Sequence, residues 1–246
     1  MKRRDILLAL AVLLLLWQML AMALHQPVLP SPVQVTAAMG RELQRGDLPL
    51  HFLASLWRVI ASLVLSIALA APAGLVLGQS PRLNQIFSPF IYLTYPIPKV
   101  VLVPVVLLFL GLGDLAKIVI IFLVLFFQIV VLVRDQAAAL RPELLQSVRS
   151  LGAGRRALFQ FVYLPASLPA IFTGVRQSIG TAVAVLYVAE LFATQRGLGY
   201  YIFLQGSTLM NYPAMYAGIV AMSVLGAMLY FGTDRLEKAL CPWLGK

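Results

Sequence analysis

The chain has 246 residues, 61% of them hydrophobic and 11% charged, with a mean hydropathy of +0.91 and a formal net charge of +10. A soluble domain carries about 25% charged residues, and no soluble fold of this length has interior enough for so much apolar surface, so lipid must solvate much of it. The basic residues flank apolar runs, the pattern of loops at a membrane face and not of a nucleic-acid surface. The single cysteine, Cys241, excludes an internal disulfide, and no cluster of His, Cys and carboxylates has metal-ligand spacing.

Six apolar runs are long enough to cross the hydrocarbon core as helices: 6–24, 53–78, 90–110, 115–133, 165–193 and 213–232. The first follows "KRRD" and precedes "HQPVLPSP". It reads as a retained anchor or as a signal peptide with "AMA" at Ala21–Ala23 as cleavage site, and its length favours the anchor. The stretch "LPSPVQVTAAMGRELQRGDLP" predicts a Pro-punctuated turn and a short surface helix ahead of the second span. In the third, Pro96, Pro98 and Pro104 of "YPIPKVVLVP" remove backbone donors and predict a kink, with the freed carbonyls satisfied by neighbours or a wet cavity. The turn "GLGD", Gly111–Asp114, makes the third and fourth spans a hairpin. The two halves share neither hydropathy nor breaker positions, which argues against an inverted-repeat carrier.

With the N-terminus inside, twelve basic residues fall on the inner segments: Lys2, Arg3, Arg4, Arg82, Arg134, Arg141, Arg149, Arg155, Arg156, Arg235, Lys238 and Lys246. Only Arg41, Arg45, Lys117 and Arg196 fall on the outer ones. That bias predicts cytoplasmic N- and C-termini and a cytoplasmic segment over 134–164.

This segment begins as a short helix, "RPELLQSVRSLG". Pro142 suits the first helical position, Glu143 the positive end of the dipole, and Gly152 the C-terminal stop. Leu144, Leu145, Val148 and Leu151 recur on one face. A second short helix is expected from about Gly154 to Tyr163, ended by Pro165, which opens the fifth span. Two angled helices, half apolar and half basic, suit either contact with anionic lipid or docking of a soluble partner.

Ionisable residues inside spans are functional candidates. Lys99 lies near the midplane of the third span; Arg176 and Glu190 lie in the fifth, about 21 Å apart along the helix and so unable to pair within it. Lys99 either faces a path, where cations would suit an anionic cargo, or ties down carbonyls freed by Pro96 and Pro98. Gln128, Ser178, Thr181 and Tyr187 are further polar residues at depth, serving as path lining or as helix-packing contacts.

The stretch "VRSLGAGRRALFQFVYLPASLPAIFTGVRQSIGTA" resembles the permease subunits of binding-protein-dependent ABC importers, in their nitrate/taurine/sulfonate branch. The family signature is E-A-A, three residues, Gly, nine residues, then I-x-L-P; Gly152, Val162, Leu164 and Pro165 match it. "LPSP" (Leu29–Pro32), "SLWRV" (Ser55–Val59), "YPIPKVVLVPV" (Tyr95–Val105), "GLGDLAKI" (Gly111–Ile118), "AELF" (Ala189–Phe192) and "GLGYYI" (Gly197–Ile202) extend the likeness in order over most of the chain. Gln146, Ser147 and Val148 depart from E-A-A, so an amide stands where the family has its glutamate.

The resemblance implies an all-α polytopic protein with the type I importer permease fold, as one domain over 1–246. It would comprise an anchor at 1–24, a five-helix core at 53–232 and coupling helices at 134–164. It implies a homodimer that forms the path for a small, anionic solute in the bacterial cytoplasmic membrane. Its partners would be a cytoplasmic ATPase dimer, which holds the ATP and magnesium, and an external solute-binding protein. The chain itself would be no enzyme, and it has no phosphate-cradling GxxxxGK[ST] loop. The coupling contact would involve Gln146, Arg149, Leu151, Gly152, Ala153, Arg155, Arg156, Leu158 and Phe159. Gly197, Gly199 and Tyr200 would serve an outer gate or the binding-protein contact, unless the tyrosines are simply interfacial. The competing classes are an autonomous channel or secondary carrier, which would work without ATP, and an intramembrane enzyme, for which neither His25 nor His51 lies within a predicted span.

Overall fold

A computed structural model describes residues 3–192 and 194–244, without the side chains of Arg3, Ile6, Leu7, Arg45, Pro142 and Arg155. Lys2 and Lys246 of the basic tally, and the expected contact of the Arg155 side chain, therefore lie outside the described residues.

The described residues form helices and connecting turns, with no strand among them. In chain order the helices are α1 (Arg3–Leu24), α2 (Pro32–Arg45), α3 (Leu48–Gln79), α4 (Pro81–Thr94), α5 (Val103–Leu110), α6 (Asp114–Ala138), α7 (Pro142–Ser150), α8 (Arg155–Leu158), α9 (Leu164–Leu191), α10 (Leu198–Phe203) and α11 (Tyr212–Leu240). Their starts are chemically marked. Ser31 and Gln34 cap the N-terminus of α2 reciprocally, and the Ser80 and Asn211 side chains accept from the first turns of α4 and α11.

The core is the α3–α6–α9 contact. Ser55, Val59, Ser62, Ser66, Ala70 and Gly74 recur at helical spacing along the buried stripe of α3, against Ile120, Ile121, Leu125 and Ile129 of α6. Small residues let helix backbones approach in lipid. The Ser62 and Ser66 hydroxyls donate to the carbonyls one turn back, at 2.6 and 2.7 Å, so their burial leaves no unmet donor. Approach is tightest at Gly78, where a Cβ would stand 2.5 Å from the Arg134 carbonyl oxygen and 2.6 Å from the Ala137 Cβ. Gly78→Leu must therefore push α3 off α6, and should lower the thermal midpoint of the detergent-purified protein by an amount equivalent to about 1–3 kcal/mol.

Four described helical stretches are long and apolar enough to span a membrane: Leu48–Gln79, Asp114–Ala138, Arg156–Leu191 and Tyr212–Leu240. The third span, expected to be kinked by its prolines, is bent to the point of breaking: Pro81–Thr94 and Lys99–Leu110 meet at 76° at "YPIP". Pro96 and Pro98 sit in the break, whereas Pro104 lies in the first turn of α5, where it costs no helical hydrogen bond. The hairpin with α6 is consequently made mainly by α5 and the 3-10 turn before it, while α4 reaches α6 through the Tyr92 ring under the Arg134 guanidinium. The first expected span is helical, and Trp17 ties it to the bundle by donating to the Pro30 carbonyl at 3.1 Å and stacking on Tyr216.

The separate second coupling helix is not observed. α8 runs through a π turn, Phe159–Tyr163, directly into α9. Pro165 does not end a helix: it stands two residues past the π turn, inside the continuous helical run Arg156–Leu191, where the backbone ladder is already altered. Lys117, expected in an outer loop, is 1% exposed, and its Nζ donates to the Leu112 carbonyl at 2.8 Å.

Candidate functional site

At one end of the bundle, the basic end, α7 and α8 form a knob. Gly152 has φ +84, and the two bonds closing α7 run from its N–H to the Arg149 carbonyl (2.9 Å) and from the Ala153 N–H to the Val148 carbonyl (3.4 Å). That pair of bonds is a Schellman motif, which needs a left-handed residue at this position. Below the turn, Leu158, Val162 and Tyr163 form a small core of their own with Leu140, Leu145, Val148 and Ala153 packed against it.

This packing sorts the expected contact residues. Gln146, Arg149, Leu151, Gly152 and Arg156 are exposed, and Leu151 at the tip is 84% so. Leu158 is 4% exposed, so it holds the knob together and offers no docking surface; Phe159 likewise packs against the main core. The expected apolar face of α7 divides, with Leu145 and Val148 turned inward and Leu144 45% exposed. Phe161, which sequence reasoning passed over, is 70% exposed beside the knob.

At the opposite end, α3 and α9 grip the start of α10. Glu190, 0% exposed, accepts from Arg58 Nη1 at 2.6 Å, from the Ser55 hydroxyl at 2.8 and 2.9 Å, and from the Gly199 N–H at 2.8 Å. Arg58 also reaches the Arg196 carbonyl and Asp114, both at 2.7 Å. The Leu198 N–H donates to Ser55 at 2.8 Å and the Gly197 N–H to His51 Nδ1 at 3.0 Å. Four successive backbone groups of the "GLGYYI" element and its approach are thus held by side chains. Gly197, at φ +133, has no room for a Cβ, which would meet the Glu190 carboxylate and the Arg58 guanidinium. Tyr201 is not an interfacial aromatic: it is 2% exposed, 5.3 Å from the His51 ring, and burial with the nearby Glu42 carboxylate raises its phenol well above the ordinary range. Tyr200 lies 5.9 Å from the same ring.

Residues 66–242 match the family described as "binding-protein-dependent transport system inner membrane component". This chain belongs to that family. The family match takes in the knob, the π turn and Glu190. The taurine transport system permease protein of Escherichia coli K12 is 32% identical over 244 residues, covering 96% of this chain and 88% of that one. The formylaminopyrimidine transport permease protein of Halalkalibacterium halodurans is 28% identical over 236 residues, covering 96% and 94%. The putative aliphatic sulfonates transport permease protein of Bacillus subtilis 168 is also 28% identical, covering 95% and 85%. The fold is that of type I importer permeases: a chain of the MetNI methionine ABC transporter, in an inward-facing conformation, superposes with a TM-score of 0.68 at 19% identity, covering 81% of this chain and 98% of that one.

In this permease the charged residues singled out at membrane depth have internal partners. Lys99 Nζ donates to the carbonyls of Thr94, Tyr95 and Ile97 at 2.8, 2.9 and 3.2 Å, which are the groups the proline break exposes. Arg176 bonds Asp234 at 3.0 Å and Glu237 at 2.6 Å on α11. Glu190 is enclosed by its clamp and faces no open space. Of the neutral candidates, Gln128 and Ser178 line one cavity between α6 and α9, and Tyr187 lines an open apolar groove between α9 and α11; Thr181 is half-buried on α9 and reaches neither. Sequence reasoning missed Arg58. The signal available was Glu190 itself, since a carboxylate inside a span requires a cation.

Proposed function

We propose that this permease docks on a cytoplasmic ATPase through the Gly152 knob and, as a pair of copies, forms the path for a small polar solute released by an external binding protein. The observation that carries this reading is the knob: a rigid turn closed by a left-handed glycine, with its own buried core, presenting an uncovered leucine at its tip. A lipid-resting helix would need no such internal core. ATP and magnesium belong to the ATPase in this scheme. The twelve-to-four basic bias supports the basic end as cytoplasmic and both termini on that side, in the bacterial cytoplasmic membrane. The open groove of about 700 Å³ between α9 and α11 supports a second copy as the missing wall. Relatives named for taurine, aliphatic sulfonates and formylaminopyrimidine support a small polar cargo.

The test separates tip from core. Leu151→Asp should abolish co-purification of the cognate ATPase and cut ATP-driven uptake at least tenfold, a hot-spot loss of about 2 kcal/mol, while the thermal midpoint of the permease stays unchanged. Leu158→Ala should instead lower stability by about 2–4 kcal/mol through the cavity it leaves. Retained co-purification in Leu151→Asp would refute the docking.

A further inference from the structure

Between α6 and α9 lies a cavity of about 420 Å³ whose character differs from the rest of the bundle. Gln128 and Ser178 are at its floor, and Tyr95, Asp135, Gln136 and Gln177 stand exposed around it. The Gln128 carbonyl oxygen is buried with no hydrogen-bond partner. Gln177 sits near the middle of α9, about 20 Å along it from Leu164. An exposed amide at that depth is expensive against lipid, so this face must line water or protein.

The charges around the cavity are already matched. Asp135 pairs with Arg134 at 2.7 Å. The two cations that an anionic cargo would need are turned elsewhere, Lys99 to the carbonyls of the break and Arg176 to Asp234 and Glu237. What remains is amide and hydroxyl groups, which both donate and accept. Resting on the permease reading above, we infer that this cavity is a holding station for solute in the cytoplasmic half of the path, and that it takes small polar solutes without net charge, zwitterions or neutral heterocycles, in preference to simple anions. A zwitterion places its anionic group among Gln128, Gln177 and Ser178 and its ammonium at Asp135 Oδ2, since both Arg134 bonds go to Oδ1 and leave the other oxygen on an exposed side chain. A bare anion meets no unpaired cation there and leaves its desolvation uncompensated.

The experiment places a thiol on the rim, Gln177→Cys, in a Cys241→Ser background, with the full complex and its ATPase in inside-out vesicles. Modification of the permease is followed by mass with two methanethiosulfonate reagents, one bearing a sulfonate and one a trimethylammonium, each normalised to its rate with free mercaptoethanol. Both should react from the cytoplasmic side at normalised rates within about threefold of each other, as expected where no net field acts. Trapping the ATPase with vanadate and ATP should slow both by about tenfold or more. A preference of about tenfold or more for either reagent would overturn the assignment of no net charge. Absence of labelling, or labelling indifferent to trapping, would overturn the path and leave the amides as contacts to lipid or to the second copy. Gln136→Cys on the same rim repeats the measurement should Gln177→Cys fail to assemble. Nucleotide retained by vanadate is counted separately, so a complex that does not couple at all, which would sink the docking reading, is told apart from one that couples without opening this cavity.

Discussion

Gly152→Val is expected to abolish ATP-driven uptake while leaving the bundle folded in the membrane. No atom lies within 4 Å of the position a Cβ would take at Gly152, so a side chain there meets no obstacle. The whole effect comes from the backbone, held at φ +84. An L-residue in that conformation costs about 1–2 kcal/mol, and a β-branched one more. α7 buries little beyond Leu145 and Val148, so the cheaper response is to unwind the Schellman turn and swing Leu151 out of place. We expect the loss of transport in reconstituted vesicles to rank by tolerance of the left-handed region and not by size: Asn mildest, then Ala at about tenfold, then Val at a hundredfold or more. A simple clash with the ATPase would instead rank the larger Asn as worse than Ala. Wild-type uptake by Gly152→Val would remove the mechanical role of the turn.

Much of this architecture was legible in the chain because membrane helices announce themselves by length and polarity. The break at "YPIP" was readable from its prolines, and the stop of α7 from Gly152. The continuity of α8 with α9 was not. Pro165 inside a continuous helical run looks the same in sequence as a proline that ends one helix and opens the next, and the π turn at Phe159–Tyr163 that joins α8 to α9 has no compositional mark. Nor was the inward facing of Leu158, because an exposed and a buried leucine on a four-residue helix share one periodicity. Arg176 looked like a path cation for a related reason: a single sequence gives its depth and conceals its partners, whereas the prolines beside Lys99 already offered freed carbonyls as an alternative to the path. The Arg176 partners lie 58 and 61 residues away, so only folding could reveal that Arg176 is engaged and decide between the two readings of Lys99.

The clamp at the far end yields the sharpest energetic ordering. Arg58→Met should be the most destabilising change there, by about 3–5 kcal/mol, because it strands the Glu190 carboxylate at 0% exposure with only Ser55 and the Gly199 N–H. Glu190→Gln should cost less, about 1–3 kcal/mol, since Arg58 keeps Asp114 and the Arg196 carbonyl and the amide can still bond Ser55. Asp114→Asn should cost under about 1 kcal/mol, its side chain being 50% exposed to solvent. The combination of Arg58→Met with Glu190→Gln should be less damaging than the sum of the two by about 1 kcal/mol or more, because the amide removes the stranded charge. Thermal midpoints of the purified complex test the order, and proteolysis at 196–199 tests its location, since the clamp holds the backbone there. If Glu190 instead served the solute directly, Glu190→Gln would alter uptake at an unchanged midpoint, and Arg58→Met would be no worse than its partner. The ordering follows from burial: the same three charges in water would be nearly interchangeable, and in the bundle only the one wholly enclosed by protein sets the cost.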